Sequence, residues 1–138
     1  MSATAAQTQA AGAMKRAARR VTAVAGEPYK TQYGALCHSF PVMVRTCGLA
    51  QAVAFSAAKA NPADAGLKAA HARVVDDVRD LLGLPEGGAK VVAERIADLS
   101  VVEYVVATRR VLKAWIYYKR FAESILKVAS AAEAEDDR

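Results

Sequence analysis

Few residues in this chain have types and spacing that suggest chemistry. Cys37 and His38 are adjacent, and a cysteine beside a histidine is the smallest kit for nucleophilic catalysis. On a helix, however, sequence neighbours point about 100° apart, so thiol and imidazole do not meet within hydrogen-bonding reach. The second cysteine, Cys47, completes neither a disulfide framework nor a metal-ligand spacing. Both cysteines therefore read as small core hydrophobes. His71 falls on an apolar helical stripe and reads as a hydrogen-bonded core residue. Asp76, Asp77 and Asp80 could hold a cation, but Arg73 and Arg79 are interleaved with them, which is the pattern of a salt-bridged, solvated helix face. Tyr29 and Tyr33 stand at i,i+4 beside Lys30 and could stack bases; the alternative is a tyrosine pair that packs a short helix onto the core. No phosphate loop, dinucleotide fingerprint, CxxC or HExxH occurs. The sequence thus offers no catalytic residue, no metal set and no cofactor site.

What it does offer is positive charge in stripes. The net charge is +5 over 138 residues. The final eight residues hold Glu133, Glu135, Asp136 and Asp137 against one arginine, so the body before them is near +8. A basic body suits a polyanionic partner such as nucleic acid or an anionic membrane. Two clusters carry the bias. Lys15, Arg16, Arg19 and Arg20 lie on one side of an N-terminal helical pattern. Towards the other end, Arg109 to Lys127 contains six basic residues and one acid, Glu123. At 100° per residue, Arg109, Lys113, Arg120 and Lys127 fall within about 40° of one another, with Ile116 and Tyr117 nearby. Tyr104, Val111, Leu112, Trp115, Tyr118, Ala122, Ile125 and Leu126 occupy the other side. A helix selected only for solubility would mix signs to gain i,i+4 pairs.

The elements that must position these residues are helices. Nearly a quarter of the chain is alanine, a strong helix former that buries little area and lets helices approach closely. The apolar spacing predicts helices over about 3–25, 29–38, 40–60, 61–82, 89–99 and 101–129. Gly26-Glu27-Pro28 ends the first. Ser39 is expected to cap the third, with Pro41 just inside it, and Gly48 within it implies a kink or the close approach of another backbone. Asn61-Pro62 starts the fourth, Gly83 to Gly88 is a loop, and Ser100 to Glu103 fits a capping box. No stretch alternates with period two. The expected fold is all-α: one domain over residues 1–138, a compact bundle of about five to six helices with a long C-terminal helix. Residues 1–10 are placed to fray, and 131–138 form an acidic tail. Nothing at the N-terminus has the pattern of a signal peptide, and the longest uncharged run, Thr46 to Ala58, is too short to span a bilayer. A cytoplasmic location is expected.

Two stretches together resemble a known family. The first runs from Tyr33-Gly34-Ala35 through Phe40-Pro41-Val42-Met43-Val44-Arg45 and Gly48-Leu49 to Phe55 and Lys59. The second runs Tyr104-Val105-Val106-Ala107-Thr108-Arg109-Arg110, then Trp115, then Lys119-Arg120-Phe121-Ala122-Glu123. In order and spacing they are similar to the two signature blocks of the small subunit of type III-B CRISPR RNA-guided effector complexes, the Cmr complexes. The resemblance implies an all-α bundle without catalytic activity or cofactor. It also implies copies stacked into a minor filament, beside the backbone subunits that hold the guide RNA, helping to form the channel in which guide and target RNA pair. Partners would be other Cmr subunits, further copies of the chain, and guide and target RNA. By the same resemblance Arg45, Lys59, Lys119 and Arg120 match motif positions for RNA or subunit contact.

The leading expectation is therefore a non-enzymatic RNA-channel subunit, with Lys15, Arg16, Arg19, Arg20, Arg45, Lys59, Arg109, Lys113, Lys119 and Arg120 as candidate contacts. Its rival is a protein–protein spacer whose basic faces meet acidic neighbours. A peripheral membrane module fits less well, because the N-terminal basic helix opposes its charges with alanine and valine and offers no Trp or Phe as an anchor.

Overall fold

A computed structural model describes residues 2–59 and 65–130, with side chains from residue 8 onward. It contains six helices: α1 (Ser2–Thr22), α2 (Lys30–Cys47), α3 (Leu49–Lys59), α4 (Ala65–Leu82), α5 (Ala89–Ala97) and α6 (Val101–Ser124). No strand occurs among the described residues. α6 packs against α1, α2 and α4, while α3 lies between α2, α4 and α5. The acidic tail and the expected Asn61-Pro62 helix start lie outside the described residues.

α2 corrects the sequence reading. It runs unbroken through Ser39 and Pro41, where a new helix was expected. Ser39 does not cap; its hydroxyl donates to the Leu36 carbonyl at 3.4 Å. Pro41 is buried mid-helix and has no N–H to give the carbonyl four residues back. That carbonyl belongs to Cys37, and the Trp115 indole Nε1 donates to it at 3.0 Å. The tryptophan of α6 supplies the hydrogen bond that the proline removes, which lets the helix continue.

The break comes instead at Gly48, whose φ of +88° places it in the left-handed region. A Cβ there would lie 3.0 Å from the Tyr104 hydroxyl, and the same hydroxyl accepts from the Ala50 N–H at 3.0 Å. The close approach is made by a side chain and not by a second backbone. Cys47, beside this break, is exposed, whereas Cys37 is buried and burial raises its thiol pKa; only Cys37 is the core hydrophobe that both were expected to be.

Other ends follow their sequence signals. Gly83, at φ +68°, closes α4 with Gly83 N–H to Asp80 O and Leu84 N–H to Arg79 O, a Schellman motif. Ser100 and Glu103 exchange reciprocal bonds of 3.1 and 3.2 Å at the start of α6, which hold the Glu103 carboxyl below its ordinary range. α6 stops at Ser124, short of the expected Ala129. The chain then turns with Lys127 at φ 61°, and Val128 folds back onto α2: its carbonyl lies 2.8 Å from His38 Nε2. Gly34 makes room for it, since any Cβ there would come within 2.6 Å of the Val128 side chain.

The core is narrow and rich in alanine and valine. Trp115, Tyr33, Tyr118, Leu49 and Ile96 are its largest fully buried side chains. Trp115 stacks on Tyr118 at 4.4 Å between centroids and tilts against Phe40 at 4.8 Å. Full burial of an aliphatic side chain such as Leu49 or Ile96 contributes about 1.5–3 kcal/mol. His71 is buried as expected, with Nδ1 3.3 Å from Ser56 Oγ. No helix among the described residues is long and apolar enough to cross a membrane.

Candidate nucleic-acid interface

The structure sorts the basic residues into two populations. The first lies between α1 and α4. Asp77, expected on a solvated face, is wholly buried. It accepts from Arg20 Nε at 2.8 Å and from the Tyr33 hydroxyl, and Arg73 Nε lies 3.4 Å away. Arg20 also reaches Asp76 at 2.6 Å. Arg79 holds the other side of Asp76 at 2.7 Å, and Arg73 donates to the Arg20 carbonyl at 2.9 Å. One turn away, Arg16 donates to the Asp80 carbonyl at 2.8 Å and stands 3.4 Å from its carboxylate.

The inward residues of α1 and the turn after it are small, namely Ala17, Val21 and Val24; α1 packs chiefly on α6, and these bonds tie it to α4. Burial pushes the Asp77 pKa up to about 6, although Arg73, Tyr33 and Arg20 all pull it down. Burial also opposes ionisation of Asp76, but the bonds from Arg79 and Arg20 outweigh it and its pKa falls. For Arg20, burial works against the charge and its carboxylate partners more than compensate, raising its pKa. Tyr33 is likewise buried and its pKa raised, so it is a core tyrosine and is not available to stack a base. Arg20 is thus engaged inside the molecule, and Arg16 is engaged in a partly exposed pair with Asp80. The α4 face is salt-bridged as expected, Arg73 to Asp77 and Arg79 to Asp76, but Asp77 is not solvated, and the arginines of α1 make the cluster interhelical.

The second population faces outward. Lys15 and Arg19 on α1 and Arg109, Lys113 and Arg120 on α6 are exposed. None of these five makes a salt bridge among the described residues. The guanidinium of Arg120 sits 5.8 Å from the centroid of Tyr117. Lys119 is half-buried, toward the apolar side of the helix. Arg45 is exposed in the last turn of α2, and Lys59 at the end of α3 lies 5.6 Å over the Phe55 ring. These two stand on other elements and are not part of the α6 stripe.

The outward face of α6 is itself divided. Its first two turns expose Val101, Val102, Val105 and Val106, and the cations begin only at Arg109. Two features escape the sequence reading. One is the burial of Asp77, which depends on what α1 presents to it. The other is a groove between α1 and α6 that brings Arg16, Arg110, Lys113 and Tyr117 together; helical spacing alone places only Tyr117 and Ile116 near the stripe. No group of three or more His, Cys, Asp or Glu among the described residues is placed to hold a metal ion.

Comparisons with known proteins agree with this architecture. Residues 9–125 match the family model described as CRISPR-associated protein (Cas_Cmr5). The CRISPR system Cmr subunit Cmr5 of Thermus thermophilus is 29% identical over 113 residues, covering 82% of this chain and 91% of that protein. The X-ray crystal structure of a CRISPR-associated Cmr5 family protein from Thermus thermophilus superposes with a TM-score of 0.69 at 26% identity, over 85% of this chain and 96% of that one. The matched region holds both signature blocks and every helix from α2 to α6, and on this ground the chain belongs to the Cmr5 family, the small subunits of type III-B Cmr complexes.

Proposed function

We propose that this subunit works without catalysis, in the cytoplasm, as part of an RNA-guided antiviral complex. Copies stack into a minor filament and line the channel in which guide and target RNA pair. The observation that carries this reading is the uncompensated charge of the outer face of α6. Arg109, Lys113 and Arg120 lie on one face, exposed and without an acidic partner among the described residues. Such a stripe meets phosphates and does not read bases, so binding is sequence-tolerant and weakens steeply with salt. An isolated subunit binds weakly, and stacked copies add avidity. Lys15 and Arg19 extend the same charge along α1; Arg45, Lys59 and Lys119 serve RNA or neighbouring subunits.

The test is charge reversal of Arg109, Lys113 and Arg120 together in the assembled complex. Target-RNA affinity is expected to fall at least about tenfold, as loss of several phosphate contacts does; unchanged affinity would remove the stripe from the RNA surface. A second reading, a spacer with no RNA contact, is favoured by the exposed valines that open α6, a surface suited to protein. It predicts that the reversed subunit fails to join the complex, while complexes that do assemble bind RNA normally.

A further inference from the structure

Between α1 and α6, at the end of α4, lies an open groove of about 740 Å³. It exists because α1 presents Ala10, Gly12 and Ala13 to it, and a Cβ at Gly12 would meet nothing within 4 Å. The facing wall on α6 is Lys113, Ile116 and Tyr117, and Arg16 and Arg110 stand beside Leu81. Among the described residues no acidic side chain lines it; Asp80 takes part only through its pair with Arg16. Arg110 gives one Nη to the Leu81 carbonyl at 3.0 Å, a bond that fixes its guanidinium at the groove's edge.

The wall therefore combines a flat aromatic ring, an aliphatic side chain and cations on both sides. That set suits a ligand with a planar apolar face and an attached anion. We infer that the groove takes one unstacked nucleotide of a single-stranded nucleic acid, its base against Tyr117 and Ile116 and its phosphate toward Lys113 and Arg110. A duplex cannot use it, because its bases are stacked on one another and no base face is free to lie against the ring. The inference rests on the polyanion reading above and deepens it. The outer stripe supplies general attraction, and the groove supplies a preference for single strands.

The test uses the full chain at low ionic strength, with a short fluorescent RNA measured by anisotropy, alone and annealed to its complement. Wild type is expected to favour the single strand. Gly12→Phe plugs the groove without altering any charge, and Tyr117→Ala removes the ring. Each should weaken single-strand binding about tenfold, as loss of one base–aromatic stack does, leave duplex binding unchanged, and erase the preference. Tyr117→Phe should retain it. Melting curves check that Gly12→Phe stays folded. If both variants bind single strands like wild type while reversal of the outer stripe abolishes binding, the groove inference falls and the stripe reading stands. If wild type binds neither form, both fall.

Discussion

The α1–α4 boundary and the outer face of α6 both carry basic residues at i,i+4 spacing, Arg16 and Arg20 in one and Arg109 and Lys113 in the other, yet their charges have opposite fates. On α4, three aspartates alternate with two arginines, and α1 brings two more arginines down onto them. The result is an ion-paired joint with a carboxylate at its centre. On α6 the cations between Arg109 and Arg120 have no acid among them, and no neighbouring helix among those described offers one. A run of charge on a helix therefore has no meaning of its own. What the adjacent helix presents decides whether it becomes part of the fold or stays available to a partner.

The comparison breaks most visibly at Asp77. Asp77→Ala leaves Arg20, Arg73 and the Tyr33 hydroxyl without their common acceptor in a buried place, and removing one member of a buried pair costs about 3–5 kcal/mol. Urea unfolding at neutral pH should show a loss of that size. A loss below about 1 kcal/mol, the range of an exposed pair, would mean that the α1–α4 joint is solvated and no different from the α6 face.

The same carboxyl sharpens the contrast through pH. Burial raises its pKa to about 6 in the folded protein, above the roughly 3.9 of an unfolded aspartate. The folded state thus binds the proton more tightly between those values. The stability that this proton uptake contributes is fully present below about pH 4 and is lost as pH rises through about 6. The groups facing it are Arg20, Arg73, Tyr29, Tyr33, Cys37 and Tyr118. Arg20, Tyr29, Tyr33, Cys37 and Tyr118 all hold pKa values raised above their ordinary ones, well clear of that window. Asp77→Asn should flatten this component of the pH–stability curve between about 4 and 6. An unchanged curve would place the titration elsewhere.

How legible these regions are in the sequence differs for physical reasons. Helix identity follows from apolar periodicity, and the capping box and Gly83 are local signals that the structure keeps. Ser39-Phe40-Pro41 misleads because local rules put a proline near a helix start, whereas here a distant residue, Trp115, repairs the missing bond. Pro41 and Trp115 both lie in the signature blocks, but nothing local joins them. Asp77 is illegible for the same reason: its burial depends on Arg20 and Tyr33, 57 and 44 residues away. The α6 stripe is legible because an unpartnered face needs no long-range information. The groove beside it is not, because it is defined by small residues on a second helix.

The smallest expected change in stability completes the contrast. Arg109, Lys113 and Arg120 are exposed and unpaired, and surface substitutions of this kind usually shift stability by no more than about 0.5 kcal/mol each. Arg120→Ala should thus be nearly silent in urea unfolding, while Arg20→Ala, which strands Asp77, should cost several times more. Binding should show the reverse order. Each phosphate contact to a single strand contributes about 0.7 to the slope of log affinity against log salt, so loss of three contacts should lower that slope by about 2. Arg20→Ala should leave it unchanged as long as the protein remains folded, because its guanidinium is already held by two aspartates. If Arg20→Ala also lowered the slope, its charge would be reaching the polyanion despite those bonds. The division between cations that build the fold and cations that serve a partner would then fail at α1, the helix that carries both kinds.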